Sequence, residues 1–224
     1  MTNFDEAEVQ ESGLDDTDYP KLLRAIGNPP KSFRFRGSLP PNRKIIAISG
    51  SRKTTQQALQ TAYRIGKMLA QHDWTIVTGL AYGCDTAATE GALSAGGKVI
   101  GVVPRGLKAL RGHTKKLAEK IFDAGGIVLS EYPDDLSEIF GRHYLRRDAI
   151  ITGLSEKTII IAAEERSGSS ATANHALRQG REVIVTPHVN AKIEGATIVG
   201  NLGELKDVLG IARDKELSNQ KGNS

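Results

Sequence analysis

"TIIIAAEERSGSSATANHALRQGREVIVT", residues 158–186, decides how the rest of the chain is read. An apolar β-branched run leads into a turn of charged and then tiny residues. A segment with helical spacing follows, and then a second β-branched run. That order reads as strand, helix and parallel strand, because two strands pointing the same way need a crossover of about this length. The same grammar runs upstream. "KIIAIS" (44–49), "TIVT" (75–78), "KVIGVV" (98–103) and "GIVLS" (126–130) join "TIIIA" (158–162) and "EVIVT" (182–186) as strands. Their apolar positions run on rather than alternate, the pattern of strands covered by helices on both faces. Between the first two, Leu59, Ala62, Tyr63, Gly66 and Leu69 fall on one helical face, and further helices are expected over 85–95, 114–124, 143–152 and 169–179. Alternating strand and helix implies an α/β fold with an open, doubly wound, mostly parallel sheet, which binds ligands at the carboxyl ends of its strands.

The 224 residues are 39% hydrophobic and 25% charged, and no apolar run approaches the roughly 20 residues of a bilayer span. One domain with tails is expected. The first residues have neither the basic start nor the apolar stretch of a secretory signal, and their acidity is unlike a mitochondrial one, so a cytoplasmic location is expected. The lone cysteine, Cys84, excludes an intrachain disulfide and a cysteine-based zinc cluster. The net charge of +4 is uneven: residues 1–20 carry seven acids and no Lys or Arg, leaving +11 on the remainder. Such a body favours polyanions. Residues 1–18 are expected to be a disordered acidic leader, either a solubility tail or a tethered screen competing with phosphates for the basic body. Residues 19–212 form the folded domain, opening with a short helix and a proline-punctuated lead-in, "YPKLLRAIGNPPKSFRFRGSLPPNRK", and residues 213–224 are a flexible tail.

Three strand-to-helix turns are rich in small residues: "SGSR" (49–52), "TGLAYGCD" (78–85) and the turn around "RSGSS" (166–170). Glycine lets a backbone approach a ligand closely, and a helix start offers unpaired N–H groups with partial positive charge, so each turn is a candidate phosphate cradle. The blander reading is that Gly and Ser satisfy tight turns and N-caps. No G-x-G-x-x-G follows the first strand and no P-loop occurs, which removes the usual support for NAD or ATP. The histidines lack metal-ligand spacing, and no Ser, His and Asp grouping with a nucleophile elbow is present. Cys84 reads as a small buried residue. No catalytic residue, cofactor or metal is assigned.

At this point the motifs resemble a known family, the DprA/Smf DNA-processing proteins. "YPKLLRAIGNPPKSFRFRG" resembles the family's opening, "GSR" its first phosphate loop and "TGLAYGCDTAATEGALSAGGKVIGVV" its second loop with the helix and strand that follow. "SEYP" (130–133), "RRDAIITGLS" and "SGSSATANHALRQGREVIVTP" continue the likeness in the family's order across about residues 19–188. The resemblance implies an extended Rossmann-like core that binds single-stranded DNA in a basic groove. It also implies delivery of that strand to a RecA-type recombinase during DNA uptake, usually by a homodimer. It places Gly50, Ser51 and Arg52 at a first phosphate site and Gly79, Gly83 and Asp85 around a second. Arg147, Ser167, Gly168, Ser169 and Thr172 would complete the pocket, with Arg166 and Arg181 adding charge, while Glu164 and Glu165 read as helix-start or ion-pair groups.

The chain departs from that pattern at Tyr82 and Ala149, where the family usually has arginine, and at Thr89, where it has histidine. Arg105, Lys108, Arg111, Lys115 and Lys116, in "PRGLKALRGHTKKL", supply basic surface nearby. Tyr82 is a candidate for stacking on a base. At this length, the winged-helix domain that many members carry after the core is not expected. A nucleotide sensor or a phosphoribohydrolase-like enzyme using the same cleft is the competing function. Such hydrolases carry P-G-G-x-G-T-x-x-E at the third turn, whereas here "RSGSS" stands in that turn and His175 replaces the acid three residues after Thr172.

Overall fold

Uninterrupted apolar strands need cover on both faces, and helices supply it here. The computed structural model describes residues 3–38 and 44–212. The chain starts with β1 (Gln10–Gly13), α1 (Lys21–Arg24) and β2 (Ser32–Gly37). It then alternates through β3 (Ile45–Ser49), α2 (Gln56–Gln71), β4 (Thr75–Thr78), α3 (Cys84–Ser94), β5 (Val99–Val102), α4 (Gly112–Asp123) and β6 (Ile127–Ser130). The second half runs α5 (Gly141–Gly153), β7 (Lys157–Ala163), α6 (Gly168–Arg178), β8 (Glu182–Val189), β9 (Thr197–Ile198) and α7 (Leu202–Val208). These strands make one sheet in the order β1-β2-β6-β5-β4-β3-β7-β8-β9. From β6 to β9 every pairing is parallel, and β1 and β2 add an antiparallel edge.

The α/β, doubly wound, mostly parallel sheet is as expected, and each strand sends alternate side chains to opposite layers. Ile46, Ile48, Ile76, Val99, Val128, Ile159 and Ile161 pack against α2, α3, α4 and α7. Ala47, Val77, Ile100, Ile127 and Leu129 face α1 and α5, while Ile160 and Val185 meet Ala173 and Ala176 of α6. The buried face of α2 is rotated from the expected one. It is built on Ala58, Ala62, Ile65 and Leu69, and Tyr63 lies on its flank, 38% exposed.

The amino-terminal region corrects the reading of a disordered leader. Phe4 is only 2% exposed and packs edge-on against Phe122, with ring centroids 5.7 Å apart. β1 pairs with β2 from Gln10 opposite Phe35 to Gly13 opposite Ser32. The acids of this segment stay at the surface, where Asp16 accepts the Gly13 N–H at 2.7 Å and Asp5 meets the Lys115 ammonium at 2.6 Å. Counting seven carboxylates obscured the fact that Phe4, Val9 and Leu14 are enough to anchor sixteen residues when an open sheet edge is waiting for them.

The lead-in likewise hides a strand. In "SFRFR" Phe33 and Phe35 are buried toward α1 and α5, whereas Arg36 faces the other layer with its guanidinium 4.9 Å over the Phe4 ring. That two-residue alternation is an edge-strand signature, different in kind from the continuous runs of the centre. The tail expected over 213–224 lies outside the described residues. None of the described helices is long and apolar enough to cross a membrane.

Candidate nucleic-acid interface

Winding of the sheet reverses between β3 and β7, so the loops leaving these neighbouring strands turn to opposite faces and open a crevice between them. A cleft of about 580 Å³ occupies it. Gly50, Ser51 and Arg52 line it from the turn after β3, and Asp85 lines it from α3. Arg147 contributes from α5, and Ser167, Gly168, Ser169 and Thr172 from the turn after β7. Gly79 lies just beyond, in an adjoining cavity of about 220 Å³ that shares Arg52 and Arg147 with the cleft. Gly83 lines neither cavity. Residues spread over more than a hundred positions thus meet at one rim.

The first two turns are locked to each other. A Cβ on Gly50 would stand 2.6 Å from the Cβ of Cys84, so only glycine lets the turn after β3 lie against the start of α3. Gly83 adopts a φ of +81°, and a Cβ there would come within 2.4 Å of the Ser51 carbonyl oxygen. That carbonyl accepts the Cys84 N–H at 3.3 Å. Ser51 is bound up in the fold, since both its N–H (2.9 Å) and its hydroxyl (3.1 Å) donate to the Ala162 carbonyl. Burial pushes the Cys84 thiol up to about 12, with help from the neighbouring Asp85, leaving an unreactive thiol packed in the core.

Beneath the rim lies a buried charged group of side chains. Arg147, only 5% exposed, donates Nη1 to the Gly79 carbonyl, and its Nε lies 2.8 Å from Asp148 Oδ1. The Nε–H is off-line for a hydrogen bond, so this second contact is a coulombic pair. A Cβ on Gly79 would fall 1.8 Å from Arg147 Nη1. Asp85 accepts the amides of Gly79 (3.0 Å) and Ala81 (3.4 Å), shaping the turn after β4 from inside. Desolvation pushes the Asp85 carboxyl up to about 6, and Arg147 holds it from rising further. Burial raises Asp148 as well, against the pull of Arg147 and His175, and desolvation lowers His175.

At the third turn Ser167 caps α6 by accepting the Ser170 N–H at 3.2 Å. Thr172 returns its hydroxyl to the Gly168 carbonyl at 3.0 Å. A Cβ on Gly168 would meet nothing within 4 Å, so the backbone there is bare toward the cleft. Replacing Ser167 with alanine is expected to cost about 1 kcal/mol through the lost cap, read as a fall of roughly 2–4 °C in melting temperature.

The charges flanking that turn have other work. Glu164 accepts from the Asn190 side chain and Glu165 from the Lys192 N–H, both at 2.7 Å, so they fasten the loop after β8. Arg181 immediately precedes β8, at the amino end of the strands and away from the cleft, and donates to the Leu22 carbonyl at 2.8 Å, so it adds no charge to the cleft. The basic loop divides in the same way. Arg105 and Arg111 line the smaller cavity, whereas Lys108 pairs with Asp134 (3.9 Å) and Lys115 with Asp5 and Glu119. Lys116 is exposed outside both cavities.

Tyr144 and Lys53 were not among the expected site residues. The Tyr144 ring lies between two guanidiniums, 5.0 Å from that of Arg52 and 5.8 Å from that of Arg147, and lines both cavities. Lys53 extends the cationic rim beside Arg52. The available signal was the aromatic and basic interleaving of "FGRHYLRR" (140–147), which places Tyr144 three residues before Arg147 on one helical face.

A family model described as DNA recombination-mediator protein A matches residues 12–204. DNA processing protein DprA of Bacillus subtilis is 34% identical over 172 residues, covering 75% of this chain and 57% of that protein. The chain spans about half the length of the curated relatives it matches. DNA processing protein A from Streptococcus pneumoniae superposes with a TM-score of 0.78 at 27% identity, covering 92% of this chain and 76% of that one. The protein of the same name from Helicobacter pylori, whose structure concerns its single-stranded DNA binding mode, superposes with a TM-score of 0.76 at 26% identity over 89% of this chain and 95% of that one. The family match covers nearly all of the alternating strands and helices and all three small-residue turns, and the chain therefore belongs to the DNA recombination-mediator protein A family, the DprA/Smf DNA-processing proteins.

Proposed function

We propose that this chain binds single-stranded DNA along the two joined cavities, with the strand's phosphates against Arg52, Lys53, Arg105 and Arg111 and its backbone close to Gly168. The observation that carries this reading is the set of cationic side chains gathered with the exposed ring of Tyr82 around joined cavities at the switch point of the sheet. Single-strand binders combine these two ingredients, charge to follow the backbone and aromatic faces for the bases. The Helicobacter pylori relative and its single-stranded DNA binding mode support the same assignment. The resemblance to the family supports a wider proposal, in which a cytoplasmic homodimer hands the bound strand to a RecA-type recombinase. The protein acts as a binding module without chemistry of its own.

Anisotropy of a labelled oligothymidine tests the binding. The logarithm of affinity is expected to fall with the logarithm of salt by about 0.7 for each phosphate neutralised, and Arg52→Ala to make that slope shallower by about 0.7. Salt-independent binding, or an unchanged slope in the variant, would overturn the assignment.

The cleft volume also suits a mononucleotide, which keeps a nucleotide sensor as the second reading. A hydrolase needs a carboxylate free to act on the ligand. Asp85 is committed to two backbone amides and Asp148 is paired with Arg147, so neither acid on the cleft wall is uncommitted.

A further inference from the structure

Beside the cavity lined by arginines, two rings lie face to face. Tyr82, from the turn after β4, stacks on His113 of α4 with centroids 4.1 Å apart and planes 20° from parallel. Tyr82 is nevertheless 63% exposed, so with the imidazole against one face the other is left to solvent. A large ring held in one orientation at the surface loses rotamer freedom without the return of core burial.

The imidazole is itself anchored. His113 Nε2 lies 2.8 Å from Thr86 Oγ1, which lies 2.7 Å from the Ala81 carbonyl oxygen. A threonine hydroxyl has one proton and a carbonyl can only accept, so that proton goes to Ala81 and Nε2–H of His113 must donate to Oγ1. A relay from imidazole to hydroxyl to carbonyl therefore ties His113 to the residue preceding Tyr82. Asp85 holds the same turn through the amides of Gly79 and Ala81. The outer face of Tyr82 is in this way preorganised, and it borders the cavity that holds Arg52, Arg105, Arg111 and Arg147.

We infer that Tyr82, backed by His113, is a stacking subsite for one unpaired nucleobase of a strand whose phosphates lie on the neighbouring arginines. This rests on the single-strand reading of the cleft and adds a base-dependent component to it. The ligand class is any nucleobase, since every base has a π-face and the ring offers a platform rather than an edge-reading pattern. Because the platform exists before the strand arrives, little ordering cost is left for binding.

The test compares an oligothymidine with an abasic deoxyribose-phosphate oligomer of the same length, by anisotropy, in wild type, Tyr82→Phe, Tyr82→Ala and His113→Ala. Wild type is expected to prefer the thymidine strand about tenfold. Tyr82→Phe should keep that preference, Tyr82→Ala should reduce it to near unity, and His113→Ala should reduce it about threefold by removing the backing ring. The salt slope should be the same in Tyr82→Ala as in wild type, because a neutral ring displaces no counterion. A preference that survives Tyr82→Ala, or equal binding of both oligomers by wild type, overturns the subsite and leaves the salt-dependent cleft standing. Failure of wild type to bind either oligomer overturns both.

Discussion

Arg147→Met is expected to destabilise the protein by about 3–5 kcal/mol near neutral pH, and by distinctly less in mild acid. The guanidinium is buried, bonded to the Gly79 carbonyl and paired with Asp148, and it is the charge that opposes the desolvation of Asp85. Methionine fills similar volume but leaves two buried acids facing each other without a cation. In the folded protein Asp85 titrates at about 6, above its ordinary value of 3.8, so the fold holds a proton that the unfolded chain has already released. Its contribution to stability is therefore fully present below the unfolded value and is lost as the pH rises through about 6. Over that window the loss is of the order of 3 kcal/mol in the wild type. Without Arg147 both acids stay protonated to higher pH, and a neutral carboxyl needs no cation. Urea unfolding at about pH 5 and about pH 7.5 should show the variant's deficit growing with pH. An equal deficit at both values would show that Arg147 acts through packing and its bond to the Gly79 carbonyl, and not through the two acids. Lysine restores charge without the planar fork that reaches both partners, so Arg147→Lys should recover only part of the loss.

The second large effect is expected far from any charge. Gly66 of α2 and Gly91 of α3 let the two helices touch backbone to backbone: a Cβ on Gly66 would stand 2.1 Å from the Ala88 carbonyl oxygen, and one on Gly91 would stand 2.0 Å from that of Tyr63. Neither obstacle is a flexible side chain that could swing aside. Gly66→Ala or Gly91→Ala must push the helices apart and is expected to cost about 3 kcal/mol or more, a fall of roughly 6–12 °C in melting temperature. α2 follows the turn carrying Gly50, and α3 starts at the turn carrying Gly83. Separating the helices therefore unseats the contact of Gly83 with Ser51, and oligonucleotide binding should weaken along with stability. Melting temperatures within about 2 °C of wild type would mean that the interface has slack which the close approach does not suggest.

The central strands, the helices between them and the three turns were legible because each is a local matter. A strand covered on both faces must be apolar throughout, and a tight turn onto a helix start must use small residues. Nothing local marks which small residue faces a ligand and which is consumed by the fold. Ser51 and Gly168 look alike in sequence, yet Ser51 spends its N–H and hydroxyl on Ala162 while Gly168 lies bare over the cleft. Arg181 and Arg52 are both basic residues near the motifs, and only the sheet order shows that one points into the crevice and the other away from it. The acidic start failed for a related reason, because whether Phe4 can be buried depends on a hollow beside Phe122 that belongs to residues more than a hundred positions later.

Sequence by itself therefore determined the alternation of strand and helix, the doubly wound class and the family, since hydrophobic period, turn chemistry and motif order are written along the chain. Tertiary structure alone decided that Gln10–Gly13 extend the sheet at its edge, that Arg147 is buried between Gly79 and Asp148, and that Tyr82 lies on His113. Those are facts of distance between remote segments. Burial, pairing and stacking energies depend on what stands within a few ångströms, which the order of residues does not state until the sheet brings them together.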